Sequence, residues 1–251
     1  CRSCVISNQR PSSTVEYKKT EKTKQETIGF DSEGVCDACR YHKIKEKNID
    51  WDSREKQLVE LLSKHRRSDG GYDIIVPGSG GKDSAYTSHI LKYKYGMNPL
   101  TVTWSPHKYT EIGWKNFENW IHVGGMDNIL FTPNGRLHRY LTRQAFLNLF
   151  HPFQPFIVGQ RIIGPLMAEK FGVKLVMYGE NQAEYGNNPK ENYKPTMDRK
   201  FFSVSEPESM VLGGRLVRDI ISEGEYNLND FAPYIPLSAE NLESKGVEVH
   251  Y

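Results

Sequence analysis

Short, almost wholly apolar runs alternate along this chain with stretches whose apolar residues recur at helical spacing. Leu58, Leu61, Leu62 and His65 follow the helical period, and Ser53 stands where an N-cap belongs, which predicts a helix from there to about Arg66. "YDIIVP" then reads as a buried strand, followed by a glycine-rich loop and a helix from about Asp83 to Tyr95. "LTVTW" (100–104) is the second strand, "WKNFENWIHVGG" is helical up to its glycines, and "NILFTPN" is the third strand. Residues 136–150 form an amphipathic stretch, and "VGQRIIGPLMAEKFG" a further helix ending at Gly172. "VKLVMYG" is the fourth strand and "ESMVLGGRLVRDIIS" reads as a helix despite its two glycines. Strands without polar alternation need cover on both faces, so the pattern predicts an α/β fold with a doubly wound, mostly parallel sheet.

Length adjusts the picture: 251 residues suffice for one large domain, taken as 51–251, and a small appendage, 1–50, as a metal-binding ribbon and linker. The chain starts at Cys1 without a methionine and stops at the strand-like "GVEVHY", so a few residues before it and a longer segment after it are expected to be missing. A formal net charge of +2 argues against a surface built for nucleic acid. The basic clusters at Lys18–Lys24, Arg40–Lys47 and His65–Arg67 read as solvated faces, with an anion-attracting rim as the alternative. No apolar stretch approaches the ~18 residues of a membrane span and no signal peptide is visible, so a cytoplasmic protein with no membrane partner is expected.

Every cysteine belongs to a CxxC pair: Cys1 with Cys4, and Cys36 with Cys39. Two such turns can bring four thiolates onto one ion, and structural zinc is the leading reading, ahead of an iron–sulfur cluster or two disulfides. Residues 1–40 are too polar to form a core alone, which gives the metal a structural task. "YKKTEKTKQET" between the pairs reads as an exposed loop or hairpin tip.

"PGSGGKDS" (77–84) lies between the first predicted strand and a predicted helix. Such a junction presents unpaired N–H groups and a positive dipole end, and glycine lets the backbone approach an anion closely. The spacing is neither GxxxxGK[ST] nor GxGxxG. It resembles the SGGxDS signature of the PP-loop ATP pyrophosphatases. That resemblance implies that Ser79, Gly80, Gly81, Asp83 and Ser84 grip the pyrophosphate of ATP, with Mg2+ neutralising charge and Lys82 in the variable position. It also implies that adenine rests on the backbone of Val102, Thr103 and Trp104. "YGENQAEYG" looks like the GHNxxDD-type loop of the same enzymes, with Gly179, Glu180 and Asn181 matching its first three positions. Glu184 falls on the first acidic one, and Tyr185 replaces the second.

No cysteine follows Cys39, so none is left to carry sulfur if all four bind zinc, and a nitrogen nucleophile is favoured. Only 78 residues precede Ser79, too few for a glutaminase domain. Taken together, "CRSCV", "GVCDACR", "IIVPGSGGKDS", "TVTWSPH", "HPFQPF" with "GQR", and "YGENQAEYG" resemble the N-acetyl sugar amidotransferases of bacterial surface-polysaccharide (lipopolysaccharide, O-antigen) and flagellin-glycan biosynthesis. The resemblance implies conversion of an acetamido sugar, nucleotide-linked or a nonulosonic acid derivative, to an acetamidino sugar. ATP would adenylate the amide oxygen, and ammonia would come from partners resembling the glutaminase and barrel subunits of imidazole glycerol phosphate synthase. His107 and His151 are candidate proton shuttles or structural histidines. Gln160 and Arg161 could meet a substrate carboxylate or phosphate or lie idle on the surface. Phe150, Phe153 and Phe156 read first as packing. The rival functions are a PP-loop tRNA thiolase or other adenylating ligase, and a non-catalytic nucleotide-binding scaffold.

Overall fold

The computed structural model describes residues 1–181 and 194–251. Its centre is a five-stranded sheet built from β1 (Ile74–Pro77), β2 (Pro99–Trp104), β3 (Asp127–Phe131), β4 (Leu175–Met177) and β7 (Glu248–His250). All neighbours are parallel, in the order β3-β2-β1-β4-β7. The chain therefore winds outward from β1 through β2 to β3, then returns to place β4 on the other side of β1. That reversal is a topological switch point, where open α/β sheets form a crevice at the strands' carboxyl ends.

Alternation along the strands feeds two separate cores. Ile74 and Val76 of β1, with Leu175 and Met177 of β4, pack with Leu62 of α2 (Trp51–His65) and Leu91 of α3 (Lys82–Tyr93). Ile75, Val102 and Val176 face the opposite way, toward Leu137 and Leu141 of α5 (Gly135–Leu149) and Ile162 of α6 (Gln154–Phe171). α4 (Glu111–His122) adds Phe117 and Trp120 in a smaller cluster. The doubly wound α/β fold is thus present, with buried apolar side chains on both faces of the sheet.

Three local readings are corrected. The cap of α2 is Asp50, whose carboxylate accepts from the Ser53 N–H, so the helix begins two residues before Ser53. "ESMVLGGRLVRDIIS" is not one helix: β5 (Val211–Leu212) and β6 (Arg215–Leu216) form an antiparallel hairpin before the short α7 (Val217–Ser222). Its turn residues Gly213 and Gly214 have φ of 63° and 79°, which excludes a right-handed helix there. The stretch from Tyr17 to Thr27 is exposed over most of its length, as expected, but its first residue is not. A 3-10 turn at Glu16–Lys18 seats Tyr17, 2% exposed, in the larger core, where its hydroxyl lies between the carbonyl oxygens of Lys200 and Ser203 and shares its one proton between them.

α1 (Asp37–Lys47) starts directly after Cys36. Among the described residues, no helix is long and apolar enough to cross a membrane.

Candidate functional site

The glycine loop occupies the carboxyl end of β1, next to the switch point. α3 begins at Lys82 with Gly81 as its N-cap, and no side chain caps it among the described residues. The first-turn N–H groups, and the dipole behind them, are therefore available to an anion. A Cβ on Gly81 would meet nothing within 4 Å, which leaves room over the helix end. Gly80 is different: its φ is +81°, and a Cβ there would stand 2.8 Å from the Phe117 Cα on α4. Only glycine lets the loop lie so close to α4.

Ser79, Gly81 and Lys82 are exposed. The Lys82 ammonium lies 2.6 Å and 2.7 Å from the two Asp83 carboxylate oxygens. Ser84 is buried, and its hydroxyl donates to the Gly81 carbonyl at 3.2 Å, so it braces the turn from beneath.

The second glycine segment meets the first. β4 neighbours β1, and Gly179 follows it so closely that a Cβ there would fall 2.7 Å from the Asp83 carbonyl carbon and oxygen. Glu180 and Asn181 continue from this contact, while Glu184 lies outside the described residues.

Thr103 and Trp104 close β2 on the other side of β1. The Thr103 hydroxyl accepts from the Asn128 amide at 3.1 Å, so its side chain is engaged within the sheet. The Trp104 ring lies flat against α6 at Gly159, where a Cβ would overlap it at 2.2 Å. Its indole N–H is buried without a partner among the described residues.

Beyond β2 lies an arrangement the sequence did not announce. His138, on α5, is 8% exposed, and its Nδ1 is 2.6 Å from the hydroxyl of Tyr234, which ends the 3-10 segment Leu228–Tyr234. Its Nε2 is buried without a partner among the described residues. Burial, with His107 as the nearby like group, pulls the His138 pKa down to about 4, and burial raises that of Tyr234. The His107 ring sits 4.9 Å from that of His138, against Phe153 and Phe156 at 5.6 Å and 5.7 Å. Its own pKa is lowered by desolvation, although the residue reaches solvent. A histidine one residue beyond Leu137 and three before Leu141, on the buried stripe of an amphipathic helix, was the available signal for His138.

Four further residues lie elsewhere or serve otherwise. His151 faces the buried Glu16 carboxylate at 3.8 Å, at the junction with the N-terminal segment. Arg161 donates to the Thr14 carbonyl at 2.8 Å and stacks on Phe201 at 5.2 Å, so it anchors that same segment and is not presented to a ligand. Gln160 is exposed, and the Tyr178 hydroxyl beside its backbone donates to the Arg161 carbonyl at 2.7 Å. Phe150 is not packed: it is 86% exposed and adopts a left-handed φ of 49° where α5 ends.

The cysteines form a separate centre. The sulfurs of Cys1, Cys4, Cys36 and Cys39 all lie within 4.8 Å of one another, with 4.0 Å between Cys1 and Cys39 and 3.7 Å between Cys4 and Cys36. These separations exclude disulfides and suit a tetrahedral ion, since Zn–S bonds of about 2.3 Å place sulfurs roughly 3.8 Å apart. Backbone N–H groups of Ser3 and Cys36 point at the Cys1 sulfur, and that of Ile6 at Cys4. Such donors stabilise thiolates: the Ile6 N–H is the main reason that the Cys4 pKa is lowered. Cys39 is pushed up to about 11, by burial first and then by the neighbouring sulfurs, a cost that a dication reverses.

No known family model matches the chain. A stretch of 83 residues is 32% identical to the uncharacterized protein MJ1599 of Methanocaldococcus jannaschii, covering 33% of this chain and 29% of that protein. The chain thus spans less than a third of that relative's length. Among solved structures it is similar to an NH3-dependent NAD synthetase from Campylobacter jejuni (12% identity, TM-score 0.41, 53% of this chain and 58% of the other). It is also similar to NMN synthetase from Francisella tularensis (13% identity, TM-score 0.37, 79% and 94%). At those scores neither likeness bears on the chemistry of the site.

Proposed function

We propose that this chain is a PP-loop enzyme that spends ATP to activate the acetamido group of a sugar and replaces its oxygen with nitrogen from ammonia. The observation that carries the reading is the contact between the two glycine segments across the switch point, Gly179 lying against the backbone of Asp83. It joins an uncapped helix N-terminus, which suits a polyphosphate, to the second loop in which such enzymes place polar ligands.

In this reading the N–H groups at Gly80, Gly81 and the start of α3 bind the β,γ-pyrophosphate, with the Ser79 hydroxyl at the mouth. Ser84 holds the turn. Asp83 supplies the carboxylate for magnesium, and its pairing with Lys82 suits a place where cation and phosphate meet; bound Mg2+ would neutralise charge on the phosphates. An amide carbonyl is a poor electrophile and its oxygen a poor leaving group. Transfer of AMP to that oxygen gives an O-adenylyl imidate, from which ammonia expels AMP. The four cysteines hold zinc as a structural ion and leave none for glutamine hydrolysis or sulfur transfer. Ammonia therefore comes from a separate glutaminase and its barrel subunit, resembling those of imidazole glycerol phosphate synthase.

Incubation with ATP, magnesium, concentrated ammonium and a panel of free and nucleotide-linked acetamido sugars tests this. AMP, pyrophosphate and an amidine product by mass spectrometry are expected, with glutamine alone inert. Asp83→Asn combined with Ser84→Ala should lower AMP formation by about 10²–10³. Near-normal rates in that double variant, or unaided turnover of glutamine, would sink the proposal.

A further inference from the structure

The histidines above the end of β2 carry a more specific inference, which rests on the reading just given. Thr142 stands one turn after His138 on α5, and its hydroxyl donates to the His138 carbonyl at 2.7 Å. A hydroxyl has a single proton to give. His107 Nε2 lies 3.3 Å from the same oxygen, so in this contact the imidazole must be the donor and Thr142 the acceptor. A neutral imidazole protonated at Nε2 keeps its lone pair on Nδ1.

We propose that His107 Nδ1 accepts the proton released when ammonia attacks, and that Thr142 and His138 are the residues that position it. Thr142 selects the tautomer. His138, held by Tyr234, gives the His107 ring a face to rest on at 4.9 Å. The arrangement follows the logic of a base oriented by a third group. It also keeps the acceptor ready: His107 is neutral at neutral pH because desolvation holds it below its ordinary value. The titratable groups around the pair are each other and Tyr234, and no carboxylate among the described residues draws a second proton in.

The step balances as follows. The ammonia nitrogen bonds to the imidate carbon and becomes cationic, and one of its protons passes to His107 Nδ1. The bond from that carbon to the AMP oxygen breaks, its electron pair leaving with the phosphate. The imidazolium then holds protons on both nitrogens, still donates from Nε2 to Thr142, and returns the extra proton to solvent at its exposed edge.

The test uses the full zinc-loaded chain labelled with 15N-histidine. At neutral pH the His107 nitrogens should show protonation at Nε2, Thr142→Val should give mixed tautomers, and Thr142→Ser should restore the wild-type pattern. In ammonium-dependent AMP formation, His107→Gln should lose about 10²–10⁴ in rate, the range for general acid–base groups, and its acid limb, which in the wild type lies below pH 6.5. Thr142→Val should lower kcat with little change in the sugar KM, and Thr142→Ser should recover it. Protonation of wild-type His107 at Nδ1, or a His107→Gln enzyme with an unchanged rate and pH profile, overturns the inference. A wild-type chain that forms no AMP with any acetamido sugar overturns the parent reading and the nitrogen step with it; the tautomer result separates that failure from a failure of Thr142 to orient the ring.

Discussion

The cysteine centre and the sheet hold their shapes by opposite means. Around the cysteines few large apolar side chains are buried, and the backbone is tied by single hydrogen bonds, such as Asp37 N–H to Gly29 and Arg2 N–H to Gly34. Four sulfurs lie within 4.8 Å, close enough to share one ion, and a metal held there would organise the rest. The sheet depends on area: Ile74, Ile75, Val76, Leu91, Leu137 and Leu141 are fully buried, and no single group dominates. A polar segment can thus be ordered cheaply by one strong centre, while a sheet needs many weak contacts and tolerates the loss of any one better. Tyr17 joins the two, since it belongs to the sheet's core yet lies between the cysteine pairs.

The largest expected effect breaks that contrast at the ion. Structural zinc contributes on the order of 10–16 kcal/mol of apparent binding energy. Cys36→Ser should therefore remove about one zinc per chain by elemental analysis and speed hydrogen exchange across residues 1–47, with the strands of the sheet remaining protected. Strands that exchanged as fast as the ribbon would show that the sheet is not independently stable. A brown protein with a visible charge-transfer band would mean an iron–sulfur cluster instead.

A smaller effect probes the sheet's side of the contrast through pH. His138 is buried and neutral, with a folded pKa of about 4 against an ordinary 6.5. Between those values the unfolded chain binds the extra proton, so this stability is fully present above pH 6.5 and is lost as pH falls through 4. The shift corresponds to roughly 3 kcal/mol. Denaturant midpoints measured across that range should fall with acid, and His138→Phe should flatten the dependence. An equal slope in wild type and variant would remove His138 as the cause. Because zinc release also begins in acid, metal content must be followed in parallel.

The smallest effect lies at the join. Tyr17→Phe removes the hydroxyl whose one proton is shared between the Lys200 and Ser203 carbonyls while keeping the ring. About 1–2 kcal/mol of stability should be lost, with zinc retained and exchange at Ser203–Ser205 accelerated. No change in either measurement would mean that ring burial alone makes the junction.

What could be read without coordinates was local. The convergence of the CxxC pairs was legible because a two-residue spacer lets adjacent thiols come together, and the SGGKDS turn because glycines and hydroxyls of a kind that suits an anion are contiguous there. The strands stood out because a parallel sheet covered on both faces needs unbroken apolar runs, and Ile74–Val76 is one. Where local signals conflicted, tertiary contacts decided. Val211 to Leu216 fits a helical pattern, yet Gly213 and Gly214 take positive φ because the turn packs tightly on Gln144 and Asn148 of α5. Arg161 read equally as an anion ligand or a surface residue because only its charge is visible in a sequence, whereas its use on the Thr14 carbonyl spans 147 residues. His107, His138, Thr142 and Tyr234 come from three separate elements, and their hydrogen bonds join residues up to 96 positions apart. Sequence patterning set which segments became strands and helices and which loops could receive an anion, since those depend on neighbours a few residues away. Which histidine is buried, which hydroxyl orients it and which arginine is already engaged were decided only when the sheet folded and brought distant side chains within bonding distance.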